Sequence, residues 1–280
     1  MRRTGLVVAG SLLAAIAAAM AAPADQFPQR LAGRSGLSVT PVFEGWYANP
    51  DGTVSLSFGY YNRNSEEVLE VPPGPDNAVQ PGPVNQGQPA RFEPGRHWGV
   101  FAVKVPVGAP DVVWTLRNRD QTFTIPGHQR RNWKLDALEG EAGSGNTPPV
   151  LKLAADGPEG AGPLGVTAGP VSAAAGVPVD LTVWAHDDGR PSGSVATTGR
   201  TAVPVTVTWF KHQGPGAVSF GTPSARIPVA GGSATTAATF AEPGEYLVRV
   251  RANDASGVSG AGHAQCCWTN AFLKVTVSGH

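Results

Sequence analysis

The sequence predicts an all-β protein with two antiparallel β-sandwich domains in tandem, after an N-terminal signal peptide. Glycine and proline supply 36 and 26 of the 280 residues, and together they reach about twice their share in an average protein. Apolar and polar residues alternate over several short segments, which is typical of strands with one buried face. Because turn residues are frequent and no long segment has helical periodicity, many short strands are expected.

Residues 1–24 have the pattern of a secretory signal peptide. Two arginines precede an apolar run over residues 6–19, and small residues follow that run. The run is short for a bilayer span, and no second one follows it. We therefore expect cleavage after Ala21 or Ala24, export to the periplasm or the cell exterior, and no membrane span.

The charge of the chain is balanced, with 21 basic and 21 acidic residues. A net charge near zero gives no electrostatic basis for binding nucleic acid or an anionic membrane. One basic cluster stands out in the segment "GHQRRNWK", which contains His128, Arg130, Arg131 and Lys134. A solvated turn and a ligand-binding patch both fit this cluster.

The first domain is predicted over residues 37–136. Its clearest strand lies in "GTVSLSFGYYNRN", where Val54, Leu56 and Phe58 alternate with serines and a glycine. Further strands are expected in "EEVLEVP" and "HWGVFAVKVP", and "DVVWTL" and "QTFTIP" flank a hairpin turn. Residues 137–149 are small, acidic and proline-ended, and are predicted to be a linker.

The second domain is predicted over residues 150–278. Alternating apolar residues mark strands that end at Ala185, Trp209 and Ala252, and seven or so such strands suggest an Ig-like sandwich. In "EPGEY", Tyr246 is expected to enter its strand as a tyrosine corner. The core is expected to contain three tryptophans, which are Trp114, Trp184 and Trp209.

Several motifs of the second half carry a resemblance to a known family. The segments "LTVWAHDDGRPSG", "VPVTVTWFKHQGPGAVSFG" and "ATTAATFAEPGEYLVRVRANDASG" resemble the PKD or REJ-like Ig modules of bacterial surface proteins. That resemblance implies extracellular binding, spacing or adhesion, and no catalysis. The "HAQCCW" loop departs from a plain spacer module. The segments "FEGWYANPDG" and "FGYYNRN" resemble uncharacterised exported bacterial proteins, which implies no particular activity.

Two loops of the second domain are predicted to share one end of the sandwich. The first loop carries His186, Asp187 and Asp188, and the second carries Asp254, His263, Cys266 and Cys267. The adjacent cysteines cannot form an inter-sheet disulfide, because neighbouring Cα atoms are only about 3.8 Å apart. Three alternatives remain. They are a vicinal disulfide, free thiols either alone or on a soft metal with His186 and His263, and a link to another chain.

Calcium is the second candidate metal at this end. Asp187, Asp188 and Asp254 offer the hard oxygen ligands that calcium prefers. The alternative is that "DDG" forms a turn and Asp254 caps its own backbone, since no calcium-loop spacing is present. His212 is expected near the opposite end, as a surface residue.

Aromatic residues of the first domain suggest a ligand-binding face. Tyr60 and Tyr61 are consecutive on a strand, so one of the two must leave the core. Exposed rings and neighbouring amides therefore predict a sugar-binding set: Trp46, Tyr47, Tyr61, Asn62 and Asn64. The alternative is a second packing layer or a domain interface.

The sequence contains neither a nucleophile elbow nor a zinc-protease helix motif. The leading prediction is therefore a non-enzymatic exported protein that binds a carbohydrate or protein ligand, or mediates adhesion. The alternatives are a metal or redox site at the paired loops, and a secreted enzyme of unrecognised type.

Overall fold

The computed structural model describes residues 33–138, 145–190, 203–258 and 265–279. The predicted signal peptide and His263 lie outside these ranges. Within them the chain forms 17 strands and a single 3-10 turn, η1 (Arg131–Trp133). The all-β prediction is therefore confirmed. No described helix is long and apolar enough to cross a membrane.

The first half of the chain folds into two small sheets that face each other. Its strands are β1 (Val39–Ala48), β2 (Val54–Asn62), β3 (Leu69–Glu70), β4 (Asn77–Gln80), β5 (Arg91–Phe92), β6 (Gly95–Val105), β7 (Val112–Asn118) and β8 (Gln121–Gly127). One sheet has the order β1-β2-β6, the other has the order β4-β7-β8, and β3 pairs with β5. The predicted hairpin is formed by β7 and β8, whereas the strand expected in "EEVLEVP" shrinks to the two residues of β3.

The second half is an Ig-like sandwich. Its strands are β9 (Val150–Lys152), β10 (Val166–Ala174), β11 (Val179–His186), β12 (Val205–Gln213), β13 (Val218–Phe220), β14 (Ser224–Ile227), β15 (Gly232–Phe240), β16 (Gly244–Asn253) and β17 (Trp268–Ser278). A five-stranded sheet, β10-β17-β16-β12-β14, packs on a four-stranded sheet, β13-β15-β11-β9. All pairs are antiparallel except β10 with β17, and the strand order is that of an immunoglobulin domain.

The predicted alternation sets the core of each sandwich. In β11, Leu181, Val183 and Ala185 are buried, whereas Trp184 is only partly buried on the opposite face. The expectation that Trp184 lies in the core is therefore wrong, because its neighbours in the alternation already occupy that side. Trp114 and Trp209 are buried as expected.

The tyrosine corner is present at the turn between β15 and β16. Tyr246 is buried, and its hydroxyl accepts a hydrogen bond from Gly216 N (3.0 Å) and donates one to Glu242 O (2.8 Å). Both partners are backbone groups, so the ring ties two loops of the second sandwich together.

The two sandwiches pack against each other through the five-stranded sheet. One side of this sheet faces the core of the second domain, and its other side faces the first domain. Phe272, on β17, belongs to the apolar cluster of the first domain together with Phe58 and Trp114. The junction between the domains is therefore continuous with a hydrophobic core.

Candidate functional site

The segment 265–270 connects the two domains. Gln265 Nε2 donates to Glu44 O of β1 at 3.2 Å. Trp268 Nε1 and Asn270 Nδ2 both donate to Gly99 O of β6, at 3.4 and 2.7 Å. The segment lies directly before β17 and in its first residues, so the last strand of the second domain is attached to two strands of the first.

A β-bulge in β6 makes this attachment possible. The pairing of β2 with β6 shifts register between Phe58 and Tyr60, opposite the part of β6 that contains Gly99. Bulged residues are released from the regular ladder and change the direction of their polar groups. Gly99 has φ +46, and a Cβ built there would lie 2.4 Å from the Trp268 ring. Only glycine therefore allows the indole to approach so closely.

Cys266 and Cys267 form a vicinal disulfide within this connecting segment. Both residues are buried, at 4% and 0% exposure. Each sulfur lies 3.6 Å from Asn146 O, which belongs to the residues predicted as the linker. Of the three alternatives, the second requires free thiols, with or without a metal, and the third requires a sulfur bonded to another chain. The structure instead pairs the two cysteines with each other.

The described residues of the two loops expected at one end do converge there. Asn146 Nδ2 donates to Asp254 Oδ2 at 2.7 Å, and the Asn146 carbonyl contacts both cysteine sulfurs. Asp187 and Asp254 are close enough for their charges to interact. Burial chiefly, and then the neighbouring carboxylates, raise the pKa of Asp187 to about 6.

The aspartates at this end act as backbone caps. Asp254 Oδ1 accepts from Ser256 N at 2.8 Å, and Asp188 Oδ1 accepts from Arg190 N at 2.8 Å. Asp187 Oδ2 accepts from Gly189 N at 3.0 Å. The described residues include no group of three histidine, cysteine, aspartate or glutamate side chains placed to hold a metal ion. His186 instead lies near Glu159, with its Nε2 3.7 Å from Oε1 of the glutamate.

Charged residues fill much of the domain junction. Glu44 forms an ion pair with Arg96, in which Nη2 of the arginine lies 2.8 Å from each of the two carboxylate oxygens. Arg249, on β16, is 3% exposed, and its guanidinium carbon lies 4.5 Å from the centroid of the Phe210 ring. Burial, and then the nearby charge of Arg251, lower the pKa of Arg249 to about 9.

His212 is also part of this junction, so the expectation of a surface histidine is wrong. It is 2% exposed, and its Nε2 lies 2.8 Å from Gly87 O. The centroid of its ring lies 5.2 Å from the centroid of the Phe272 ring. Burial, and then the charge of Arg249, lower the pKa of His212 to about 3. The residue lies at the end of β12, as predicted, but the first domain covers that end.

A cleft of about 510 Å³ opens between the two domains. Its lining includes the apolar side chains of Phe101, Leu164, Leu247 and Phe272, and the polar side chains of Asn85, Gln86, Thr167, Gln213, Glu245 and Lys274. Asn85 and Gln213 join the domains across one end through two reciprocal amide hydrogen bonds, at 2.9 and 3.0 Å. The sequence does not indicate this cleft, because its walls come from segments far apart in the chain.

The predicted sugar-binding set is largely buried. Tyr61 is 42% exposed and Tyr60 only 2%, so the expected split of this pair is confirmed. Tyr47 is buried at the junction, where its hydroxyl accepts from Leu164 N at 2.7 Å. Asn62 and Asn64 are fully buried, and their amides bond to the backbone and to each other. A sugar-facing role is therefore wrong for Tyr47 and for both asparagines.

Trp46 is the remaining member of that set. It is partly buried, and its Nε1 donates to Arg130 O at 2.8 Å. Its indole nitrogen thus bonds to the backbone of the turn that leads into η1, and only part of the ring faces solvent. Tyr61 and the partly exposed Trp46 keep their ligand-binding role as a prediction.

No family model matches the chain, and no curated protein matches it. Among solved structures, the D00-D0 domain of Intimin matches with 13% identity and a TM-score of 0.26, over 85% of this chain and 100% of that one. The D0-D1 domain of Intimin matches with 10% identity and a TM-score of 0.26, over 85% and 97%. Domains 4 and 5 of the S-layer protein SbsC match with 15% identity and a TM-score of 0.23, over 86% and 98%. Identities and TM-scores this low do not establish a shared fold, and the Ig-like description is based on strand order.

Proposed function

We propose that the chain is a non-enzymatic exported protein of the bacterial periplasm or cell surface that binds an extracellular carbohydrate or protein ligand. The cleft between its two sandwiches is the binding site. One observation carries this proposal: apolar side chains and hydrogen-bonding amides line the same cavity. Ligand sites in proteins are mostly apolar concavities with a few placed polar groups, and they often lie between domains.

The chemistry of the lining selects the kind of ligand. The lining side chains include one cation, Lys274, and one anion, Glu245. Their charges balance, which favours a ligand without net charge. The amides of Asn85, Gln86 and Gln213 offer both donors and acceptors. Sugar hydroxyls and the peptide backbone both match such amides.

The domain junction holds the cleft in shape before a ligand arrives. Lys211 reaches Glu70 of the first domain with both carboxylate oxygens within 3.0 Å. Trp268 and Asn270 fix β17 against Gly99. A preformed site loses less conformational entropy on binding than one that must assemble around its ligand.

The test is to fill the cleft and compare binding. Thr167 lines the cleft and is exposed, so Thr167→Trp places an indole in the cleft without removing a buried group. Thr122 is exposed on β8 and does not line the cleft, so Thr122→Trp is the matched control. Purified protein would be applied to an array of neutral glycans and an array of short extended peptides.

The proposal expects at least one array feature to bind the unchanged protein and the Thr122→Trp variant equally. The Thr167→Trp variant should lose that binding while keeping its melting temperature. Equal binding by all three proteins would show that the ligand does not enter the cleft. Absence of binding on both arrays would overturn the ligand chemistry proposed here.

A further inference from the structure

The basic turn, residues 130–134, is held against the first domain by hydrogen bonds. It contains η1, and Trp133 N donates to Arg130 O at 2.9 Å. Trp46 Nε1 donates to the same carbonyl, and Leu135 N donates to Trp46 O at 2.7 Å. The turn is therefore fastened to β1 at both of its ends.

An aromatic ring is displayed on this turn. Trp133 is 40% exposed. Its ring stacks on Phe43 with a centroid distance of 5.4 Å and an interplanar angle of 27°. The edge contact with His128, at 5.5 Å and 85°, supports the same ring from another side. The indole is thus held in a fixed orientation while part of it remains open to solvent.

Two exposed cations lie in the same turn as the ring. Arg130 and Arg131 are exposed, and neither has an ion-pair partner among the described residues. Other exposed arginines of this domain do pair: Arg34 meets Glu66 at 2.9 Å and Arg119 meets Glu67. Arg130 and Arg131 therefore place two unpaired positive charges next to each other in a chain whose net charge is zero.

We propose that the basic turn binds an acidic polysaccharide, through sugar stacking on Trp133 and charge-assisted hydrogen bonds from Arg130 and Arg131. Guanidinium groups match carboxylate and sulfate groups with two parallel hydrogen bonds. An immobile, partly exposed indole offers an apolar face to a pyranose ring at little conformational cost. This site is separate from the cleft, and it takes an anionic ligand where the cleft takes an uncharged one.

The test measures binding to heparin and to polygalacturonate, with neutral dextran of similar size as the control polymer. The key variant is Arg130→Gln with Arg131→Gln, because both side chains are exposed and the Arg130 carbonyl is kept. The matched control is Arg117→Gln with Arg226→Gln, which removes the same charge from two exposed positions elsewhere. Trp133→Ala separates the stacking contribution from the charge.

Binding of the unchanged protein to an acidic polymer, but not to dextran, is expected, and it should weaken as salt rises. Removing both basic-turn arginines should weaken binding about tenfold, from two charge-assisted contacts at an exposed site. Trp133→Ala should weaken it about fivefold, and the control pair should leave it nearly unchanged.

Three results would overturn the proposal. The first is no binding to either acidic polymer, and the second is an equal loss in the control pair. The third is binding to vesicles of anionic phospholipid without binding to the soluble polymers, which would assign the turn to a membrane surface. The Thr167→Trp variant keeps the two proposals apart, because it should bind acidic polymers normally whether or not the cleft has a ligand.

Discussion

Replacement of Gly99 by alanine tests how the two domains are joined. Gly99 lies in the β6 bulge with φ +46, and its carbonyl accepts hydrogen bonds from Trp268 and Asn270. A Cβ at this position would lie 2.4 Å from Trp268 Cζ2 and 3.0 Å from two further atoms of the indole. The indole is 2% exposed, so it cannot turn away into solvent.

Two costs make up the expected loss of stability. Holding alanine in the left-handed region costs about 1–2 kcal/mol. Forcing a methyl group into a packed contact costs about 1–3 kcal/mol more. The free energy of unfolding of Gly99→Ala should therefore fall by about 2–5 kcal/mol.

Gly95→Ala on the same strand separates these costs. Gly95 has φ +88, and a Cβ there would meet nothing within 4 Å. This control carries the backbone cost alone, about 1–2 kcal/mol. Urea unfolding followed by circular dichroism gives both values, and the excess loss in Gly99→Ala measures the contact with Trp268.

A double-mutant cycle closes the test. Trp268→Leu removes the ring, so adding Gly99→Ala to it should cost no more than Gly95→Ala costs in the unchanged protein. If Gly99→Ala is no worse than Gly95→Ala at the outset, the indole does not pack on the bulge. The described attachment of β17 to the first domain would then be incorrect.

Three further predictions concern the second domain. Tyr246→Phe should lower the free energy of unfolding by about 1–3 kcal/mol, because Gly216 N and Glu242 O both lose their hydrogen-bond partner. An unchanged midpoint of urea unfolding would contradict this prediction. Asp187 has a folded-state pKa of about 6, which is above the pKa of aspartate in the unfolded chain. Its contribution to the free energy of unfolding is therefore complete below the unfolded pKa, and it is lost as pH rises through about 6. Asp187→Asn should therefore raise the free energy of unfolding at pH 7 by about 1 kcal/mol, after allowance for solvent screening. If the variant and the unchanged protein had the same pH dependence of unfolding, the raised pKa of Asp187 would be refuted. Intact-mass measurement should find Cys266 and Cys267 lighter by two hydrogen atoms before reduction than after it, and free thiols in the unreduced protein would contradict the vicinal disulfide.

The same Asp187→Asn variant also tests the calcium prediction. Because the aspartates at this end already accept hydrogen bonds from nearby backbone groups, we expect calcium and a chelator to leave the melting temperature unchanged. A rise in melting temperature with calcium that disappears in Asp187→Asn would instead establish a calcium site. Metal analysis of the purified protein gives the same decision independently.

Much of each sandwich could be predicted because a strand with one buried face leaves a pattern of period two. Leu181, Val183 and Ala185 follow this pattern, and so does the tyrosine corner at Tyr246. The meeting of the two loops near Asp187 and Asp254 also followed, since strand order in an Ig-like sandwich places them at one end. These features depend on one sandwich at a time.

Several of the errors lie where one domain covers the other. Alternation shows which side of a strand faces its own core, and says nothing about what covers the opposite side. His212, Arg249 and Asn270 lie on that opposite side of the five-stranded sheet, so the sequence pattern marks them as surface residues. The structure buries all three, because the first domain is packed against this side.

The adjacent cysteines acquire a structural meaning only at this junction. Within a single Ig-like domain, "HAQCCW" is a loop with an unexplained pair of thiols. In the folded chain Gln265 before the pair and Trp268 after it both bond to the first domain. A disulfide between the two intervening residues restricts the backbone that separates these contacts. The pair therefore restrains the backbone between two contacts with the first domain, which is a structural role that two cysteines placed side by side can fill.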